Sequence, residues 1–254
     1  MDGRRVRRAR AASVTPPDSP LIGCTVIVVG DEHRADIAAM LAGGGAVVRG
    51  VRVSDGAART SEKERLIGTV AGAERGEADA VLFLSDAAAT SWAAVAEQTG
   101  SLGRIRRRID AGRLLVVVGG ASGAAAMKRM QIRTAIANAD RAGTFARHVI
   151  EHFESGGAPS LPTDSGRMQV RSRGVVVDDG FIPLTRSATA LIDALAAAGG
   201  SVLSRSELGD VLPGAERTAH AVEVAVARLR EALGDRALVH TVVKRGYRLA
   251  VIDA

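Results

Sequence analysis

The sequence predicts an α/β fold class in two parts: a small doubly wound parallel-sheet domain, then a smaller domain of short antiparallel strands, three helices and a closing hairpin. Three observations predict it. Between residues 21 and 153, short continuous apolar runs alternate with longer helical patterns, the signature of strands covered on both faces. Residues 155–167 then break that rhythm with Gly156, Gly157, Pro159, Pro162 and Gly166 among Ser and Thr, a composition that reads as a linker. Beyond it, the pattern changes to alternation around Asp178-Asp179-Gly180, an Asp-Gly hairpin signal. The 254 residues suit two domains of roughly 100–150 residues each.

In the first domain, residues 21–154, the strand candidates are Thr25–Val29, Ala46–Val53, Ala80–Leu84, Leu114–Val118 and Thr134–Asn138. The helices between them are Arg34–Leu41, Glu62–Arg75, Ala88–Thr99 with a continuation at Leu102–Asp110, Ala121–Met130 and Thr144–Phe153. Hydrophobic residues make up 46% of the chain but aromatics only 2%, so its cores must be built from Ala, Val, Leu and Ile.

The formal net charge is +6 and the isoelectric point about 10.5, a balance suited to a polyanionic partner. Much of the excess lies in Arg4, Arg5, Arg7, Arg8 and Arg10, so residues 1–20 read as a disordered basic arm or as a translated upstream extension. Cys24 is the single cysteine. That excludes an intrachain disulfide and a cysteine-based metal site, and fits a reducing cytoplasm with Cys24 as a small core residue. Apolar runs fall short of the roughly 20 residues of a membrane span, and the arginine-rich start lacks the apolar stretch of a signal peptide. The five histidines, His33, His148, His152, His220 and His240, share no ligand spacing except the pair His148/His152, which reads as solvated helix surface.

In the second domain, residues 168–254, Met168–Val177 and Phe181–Leu184 read as strands, Ser187–Ala198, Ser204–Val211 and Ala219–Leu233 as helices, and Ala237–Val251 as a hairpin around Lys244-Arg245-Gly246. This order describes a winged helix-turn-helix. Val222, Val226, Leu229 and Leu233 form one apolar stripe along the third helix. The opposite face carries His220, Val224, Ala227, Arg228 and Glu231, with Ala221 and Arg230 toward the flanks. Small residues with arginines can enter a major groove about 12 Å wide, where Arg pairs with guanine edges or phosphates. Glu223 and Glu231 oppose a purely electrostatic grip. Arg217 before the helix, Lys244 and Arg245 at the hairpin turn and Arg248 beyond it are suited to the phosphate backbone.

The run from Ala219 to Leu233, with its Arg228-Leu229-Arg230, and the later Thr241-Val242-Val243-Lys244-Arg245-Gly246-Tyr247-Arg248 resemble the OmpR-type winged helix of response regulators. Leu184-Thr185 is similar to that family's opening of the first helix, and Ser204-Arg205-Ser206-Glu207-Leu208 to its second. The resemblance implies duplex DNA as partner and, by position, DNA contacts at His220, Val224, Arg228 and Arg230, with Thr241, Lys244 and Arg245 on phosphates. Departures from the family pattern are Ala188, Ala225, Ala227 and Val243. Tyr247 reads as wing-core packing.

Four motifs of the first domain resemble one lobe of uroporphyrinogen-III synthase: Leu21-Ile22-Gly23-Cys24-Thr25-Val26-Ile27-Val28, Gly43-Gly44-Gly45-Ala46-Val47-Val48, Asp79-Ala80-Val81-Leu82-Phe83-Leu84-Ser85 and Val116-Val117-Val118-Gly119-Gly120-Ala121-Ser122. The whole chain resembles the actinobacterial type that joins this synthase fold to an OmpR-type winged helix. That enzyme has two lobes around its active-site cleft. Here there is room for one, Leu84 and Gly120 stand where Thr and Pro are usual, and no tyrosine lies in this domain. A receiver domain is the competing resemblance, through Val28-Val29-Gly30-Asp31-Glu32. A receiver needs a carboxylate cluster for Mg²⁺, an acceptor Asp after the third strand and a Lys near the fifth. The acceptor position falls on Leu84, with Asp86 two residues late, and residues 134–142 contain no Lys.

The expectation is a cytoplasmic DNA-binding transcriptional regulator with no catalytic residue, metal or cofactor, its α/β lobe a degenerate sensor or dimerisation domain. Ser85, Gly119, Gly120 and Ser122, at strand ends and a helix start, are the candidate site for a small anionic effector. For Ser85 and Ser122 the bland reading is helix capping; for the glycines it is a close-packed turn. The alternatives are uroporphyrinogen-III synthase, in tetrapyrrole biosynthesis, and an atypical response regulator with a degenerate receiver.

Overall fold

A computed structural model describes residues 19–31, 34–53, 60–178, 180–214 and 218–252. Residues 1–18 of the basic arm, Glu32, His33, Asp179 and Arg217 lie outside the described residues.

The first domain holds five parallel strands: β1 (Thr25–Val29), β2 (Val47–Val51), β3 (Ala80–Phe83), β4 (Leu115–Val118) and β5 (Ala135–Ile136). Their spatial order is β2-β1-β3-β4-β5, the flavodoxin-like order of doubly wound sheets. Six helices surround them: α1 (Arg34–Gly43), α2 (Thr60–Glu74), α3 (Asp86–Gln98), α4 (Leu102–Asp110), α5 (Ala121–Arg129) and α6 (Ala142–Glu154). Alternation along each strand feeds two cores. Ile27, Val29, Val81, Phe83, Val116 and Val118 pack with Leu66, Trp92, Ile105 and Met127 on one face. Val26, Val28, Leu82 and Val117 pack with Ile37, Leu41, Phe145 and Val149 on the other. Trp92 compensates its buried ring nitrogen by donating to Thr69 Oγ1 at 3.1 Å and meets Phe83 edge-on at 5.3 Å. Cys24 is fully buried, as its apolar surroundings imply.

The segment read as a linker is more ordered than its composition suggests. His152 Nε2 contacts the Gly112 carbonyl at 2.9 Å, the Ala158 N–H donates to His152 O at 2.8 Å, and Leu161–Thr163 forms a strand, β6. Pro162 fits because β6 ends its sheet, where no N–H of Pro162 is needed; its carbonyl accepts from the Ile252 N–H at 3.0 Å. The sheet continues as β7 (Gly166–Arg171), β8 (Gly174–Val177) and β9 (Gly180–Pro183), antiparallel in that order. The run Met168–Val177 is therefore two strands, parted by a turn at Ser172-Arg173. Apolar periodicity runs unbroken through such a turn, which is why it reads as one strand. Helices α7 (Arg186–Ala197), α8 (Arg205–Val211) and α9 (Ala219–Leu233) follow, then the hairpin β10 (Val239–Val242) and β11 (Gly246–Leu249). Leu191, Ile192, Leu195, Leu208, Val222 and Val226 centre their core.

The β7–β8 turn plugs the second domain into the first at the amino-terminal ends of β1 and β3. Asp79, only 4% exposed, accepts from the Thr25 N–H at 2.7 Å and from the Ser172 N–H at 2.9 Å. Burial pushes its carboxyl upward, opposed by hydrogen bonds from Ser172 and Thr25 and by the Arg171 charge. The buried Arg171 guanidinium donates to Pro20 O at 3.1 Å and Cys24 Sγ at 2.8 Å and stacks 4.2 Å above the Phe153 ring. Beside the plug, Asp193 of α7 is held by Arg108 at 3.1 Å and Arg113 at 2.8 Å, and Arg186 pairs with Glu77. Gly23, with φ +78°, lies so close to the Phe181 ring that a Cβ would collide with it.

Replacing Asp79 with Ala strands two buried N–H donors and should lower the unfolding free energy by about 2–5 kcal/mol in urea titrations. Asp79→Asn keeps one oxygen acceptor and should lose less. An unchanged midpoint for Asp79→Ala contradicts the role given to this plug.

Candidate nucleic-acid interface

Local sequence fixes the helix-turn-helix. Ser204 and Glu207 form a reciprocal capping box at the start of α8, with Glu207 Oε2 accepting from the Ser204 N–H at 2.8 Å. These bonds from the Ser204 side chain and backbone hold the Glu207 carboxyl below its ordinary value. Thr218 caps α9 by accepting from the Ala221 N–H at 3.1 Å, and Gly234 ends it with φ +65°. The stripe Val222, Val226, Leu229 and Leu233 is buried.

That burial fixes what α9 shows to solvent. At roughly 100° per residue, His220, Val224, Ala227 and Glu231 lie opposite the stripe, with Arg228 about 240° around from Val222. His220, Ala227, Arg228 and Glu231 are exposed and Val224 is half-buried. Glu223 lies on a flank and pairs with Arg205 of α8 at 2.9 Å, so its charge is largely neutralised within the motif. Arg230 is half-buried and its guanidinium is turned onto β10, where it donates to Val239 O and Thr241 Oγ1.

The wing is anchored at its base and open at its tip. Leu203, just before α8, exchanges two 2.9 Å backbone hydrogen bonds with Tyr247. Gly246, with φ +142°, passes so close to the Leu203 carbonyl that a Cβ would collide with it. Tyr247 is buried in the domain core, as its reading as packing implies. Val243, Lys244 and Arg245 form the exposed tip, with Val243 78% exposed and Lys244 held in the left-handed region at φ +61°. Between the end of α9 and the hairpin runs a groove of about 790 Å³ whose lining includes Arg230, Arg236, His240, Thr241 and Arg248. Arg236 and His240 were not among the contacts suggested by sequence. Neither carries a sequence pattern of its own, and only the fold places them in one groove with Arg248.

The candidate effector site in the lobe is largely filled from within. Ser85 Oγ accepts from the Ala88 N–H at 3.2 Å as the cap of α3. Asp86 Oδ1 accepts from the Gly123 N–H at 2.6 Å, so the start of α5 already carries a carboxylate. Gly119 and Gly123 sit against neighbouring atoms that leave little room for a side chain, and Ser122 is exposed. Asp31 pairs with Arg52 at 3.0 Å. Leu84, at the receiver's acceptor position, is buried. His148 and His152 are not simply solvated: their ring nitrogens meet the carbonyls of Ile136 and Gly112. Among the described residues no group of three or more His, Cys, Asp or Glu is placed to hold a metal ion, and no helix is long and apolar enough to cross a membrane.

Residues 179–249 match the family model described as transcriptional regulatory protein, C terminal. Among solved structures, the DNA-binding domain of Escherichia coli CadC is 27% identical with a TM-score of 0.32, covering 37% of this chain and 95% of that one. The Klebsiella pneumoniae RstA DNA-binding domain in complex with RstA box is 26% identical with a TM-score of 0.31, covering 36% of this chain and 96% of that one. Uroporphyrinogen III synthase from the extremely thermophilic bacterium Thermus thermophilus is 17% identical with a TM-score of 0.34, covering 54% of this chain and 52% of that one. No curated protein sequence matches the chain. Residues 179–249, with their capped helix-turn-helix and basic wing, form a winged-helix domain of the transcriptional-regulator C-terminal family.

Proposed function

We propose that the chain is a DNA-binding transcriptional regulator that reads duplex DNA with α9 and grips its phosphates with the wing. The observation that carries this reading is the family match over residues 179–249, on a domain whose α9 outer face and wing tip are exposed while the lobe is engaged elsewhere, through the β7–β8 turn and α7. Arg228 is placed to read base edges beside Val224 and His220. Lys244 and Arg245, at the end of an exposed hairpin, are suited to phosphates, which lie outside the groove and carry no sequence information. Arg217, before α9, joins them as a phosphate contact.

The lobe is proposed as a scaffold or dimerisation domain. Asp86 occupies the position at the start of α5 where a small anion would otherwise gain from free N–H groups, which disfavours an anionic effector at Gly119, Gly120 and Ser122. The soluble, cytoplasmic setting of such a regulator is part of the same proposal.

Binding of the intact chain to duplex DNA should weaken steeply with salt, with a log–log slope near −0.9 for each phosphate neutralised. A chain that binds no duplex at low salt contradicts the assignment. Arg228→Ala should cost about 1–3 kcal/mol on the preferred site and flatten base preference at one position. Lys244→Gly should weaken all sequences alike and reduce the salt slope by about one unit. Because it also relieves a left-handed backbone, it should leave stability unchanged or raised by up to about 1 kcal/mol. Selections on randomised duplexes decide between these roles. A base preference altered by Lys244→Gly, with a uniform loss for Arg228→Ala, reverses the docking orientation.

A further inference from the structure

Arg230 belongs to α9, yet its side chain faces the wing. It lies roughly 80° around from Val222, on the flank away from Arg228. Its Nε and Nη2 both donate to Val239 O, at 3.0 and 2.8 Å, and Nη2 also donates to Thr241 Oγ1 at 2.8 Å. The fork therefore grips two residues of β10 at once. Thr241 pairs across the hairpin with Tyr247, and the Arg230 cation lies 5.7 Å from the Tyr247 ring centre. The cation of Arg205, from α8, lies 5.6 Å from the same ring, and Arg205 is tied to Glu223 of α9. One aromatic ring of the wing is thus approached by a cation from each helix of the helix-turn-helix.

A two-stranded hairpin does not hold its own orientation in water. Its direction relative to α9 depends on what fastens it, and beyond the Leu203–Tyr247 bonds and the burial of Val239, Tyr247 and Leu249 at the base, the Arg230 fork joins β10 directly to the recognition helix. Two DNA contacts made by one rigid body reinforce each other only when their separation is preset. We infer that Arg230 is a positioning residue: it presets where the wing tip, Lys244 and Arg245, meets the phosphate backbone while α9 occupies the groove. This rests on the reading that α9 and the wing engage DNA. A lysine cannot reproduce the planar fork that spans Val239 O and Thr241 Oγ1, although it keeps the charge.

The test measures binding of the intact chain to one duplex across a salt series, for the wild type, Arg230→Lys, Arg230→Gln, Lys244→Gly and the double variant Arg230→Lys/Lys244→Gly. Arg230→Lys should lose as much affinity as Arg230→Gln, and both should lower the salt slope alike, because either change takes the Lys244 and Arg245 tip off its phosphates. Lys244→Gly should weaken the wild type roughly fivefold but the Arg230→Lys background by less than about twofold, because a misplaced tip has little left to lose. Thr241→Val, which removes one acceptor from the fork and keeps the branched shape, should show the same loss of coupling in part and serves if an Arg230 variant does not fold. Wild-type-like binding and salt slope for Arg230→Lys, a slope reduced by about one unit in Arg230→Gln alone and additive effects with Lys244→Gly would make Arg230 a phosphate contact and overturn the inference while leaving DNA binding intact. Absence of duplex binding by the wild type overturns the DNA reading itself, and this inference with it.

Discussion

The arrangement of the molecule depends on the β7–β8 turn being inserted beneath the parallel sheet. Asp79 is a carboxylate in a place where an ionised group is costly, and it persists because backbone N–H groups of both domains converge on it, with Arg171 alongside. Residues from both sides are shaped around this contact: Gly23 leaves space for Phe181, Phe153 supplies a face for Arg171, and Arg108 with Arg113 closes on Asp193. Every one of these lobe residues except Phe153, which α6 brings in, lies in or near the segments leading into β1, β3 and β4. The strand ends that would line a ligand crevice in such a sheet are on the opposite side, roughly 15 Å away along strands of four to five residues.

That geometry determines which surface of the second domain remains open. The lobe engages α7 and the β7–β8 turn, and the outer face of α9 and the wing tip stay exposed. Charge is arranged to match. Glu223 is neutralised by Arg205, Arg230 is spent on the wing, and Arg228, Lys244 and Arg245 remain exposed. The motif therefore separates residues that stiffen it from residues free to meet an anion, although both kinds are arginines in one short stretch of sequence.

Much of this was legible in the sequence where burial imposes periodicity. Thr25–Val29, Leu102–Asp110 and Ala219–Leu233 have the bounds their patterns imply, because a strand covered on both faces and a helix covered on one leave unmistakable apolar spacing. Features that depend on tertiary pairing were not legible. Leu161–Thr163 is a strand only because β7 lies beside it, and the turn at Ser172-Arg173 sits in a run whose alternation continues across it. The role of Asp86 at Gly123 joins residues 37 apart in sequence. Spacing places Arg228 on the face opposite the apolar stripe and Arg230 toward its flank, yet both read as DNA contacts by position. Only the position of β10 shows what the Arg230 guanidinium grips.

The account's central claim, that one rigid body presents α9 and the wing tip to DNA while the lobe remains docked on its far side, is tested most directly by mapping backbone amide shifts of the intact chain as duplex DNA is added. The account predicts shifts concentrated in residues 220–231 and 242–246, with the amides of Thr25, Ser172 and Asp193 unmoved. Shifts centred on Ser85 and Gly119–Gly123, with α9 silent, would contradict it.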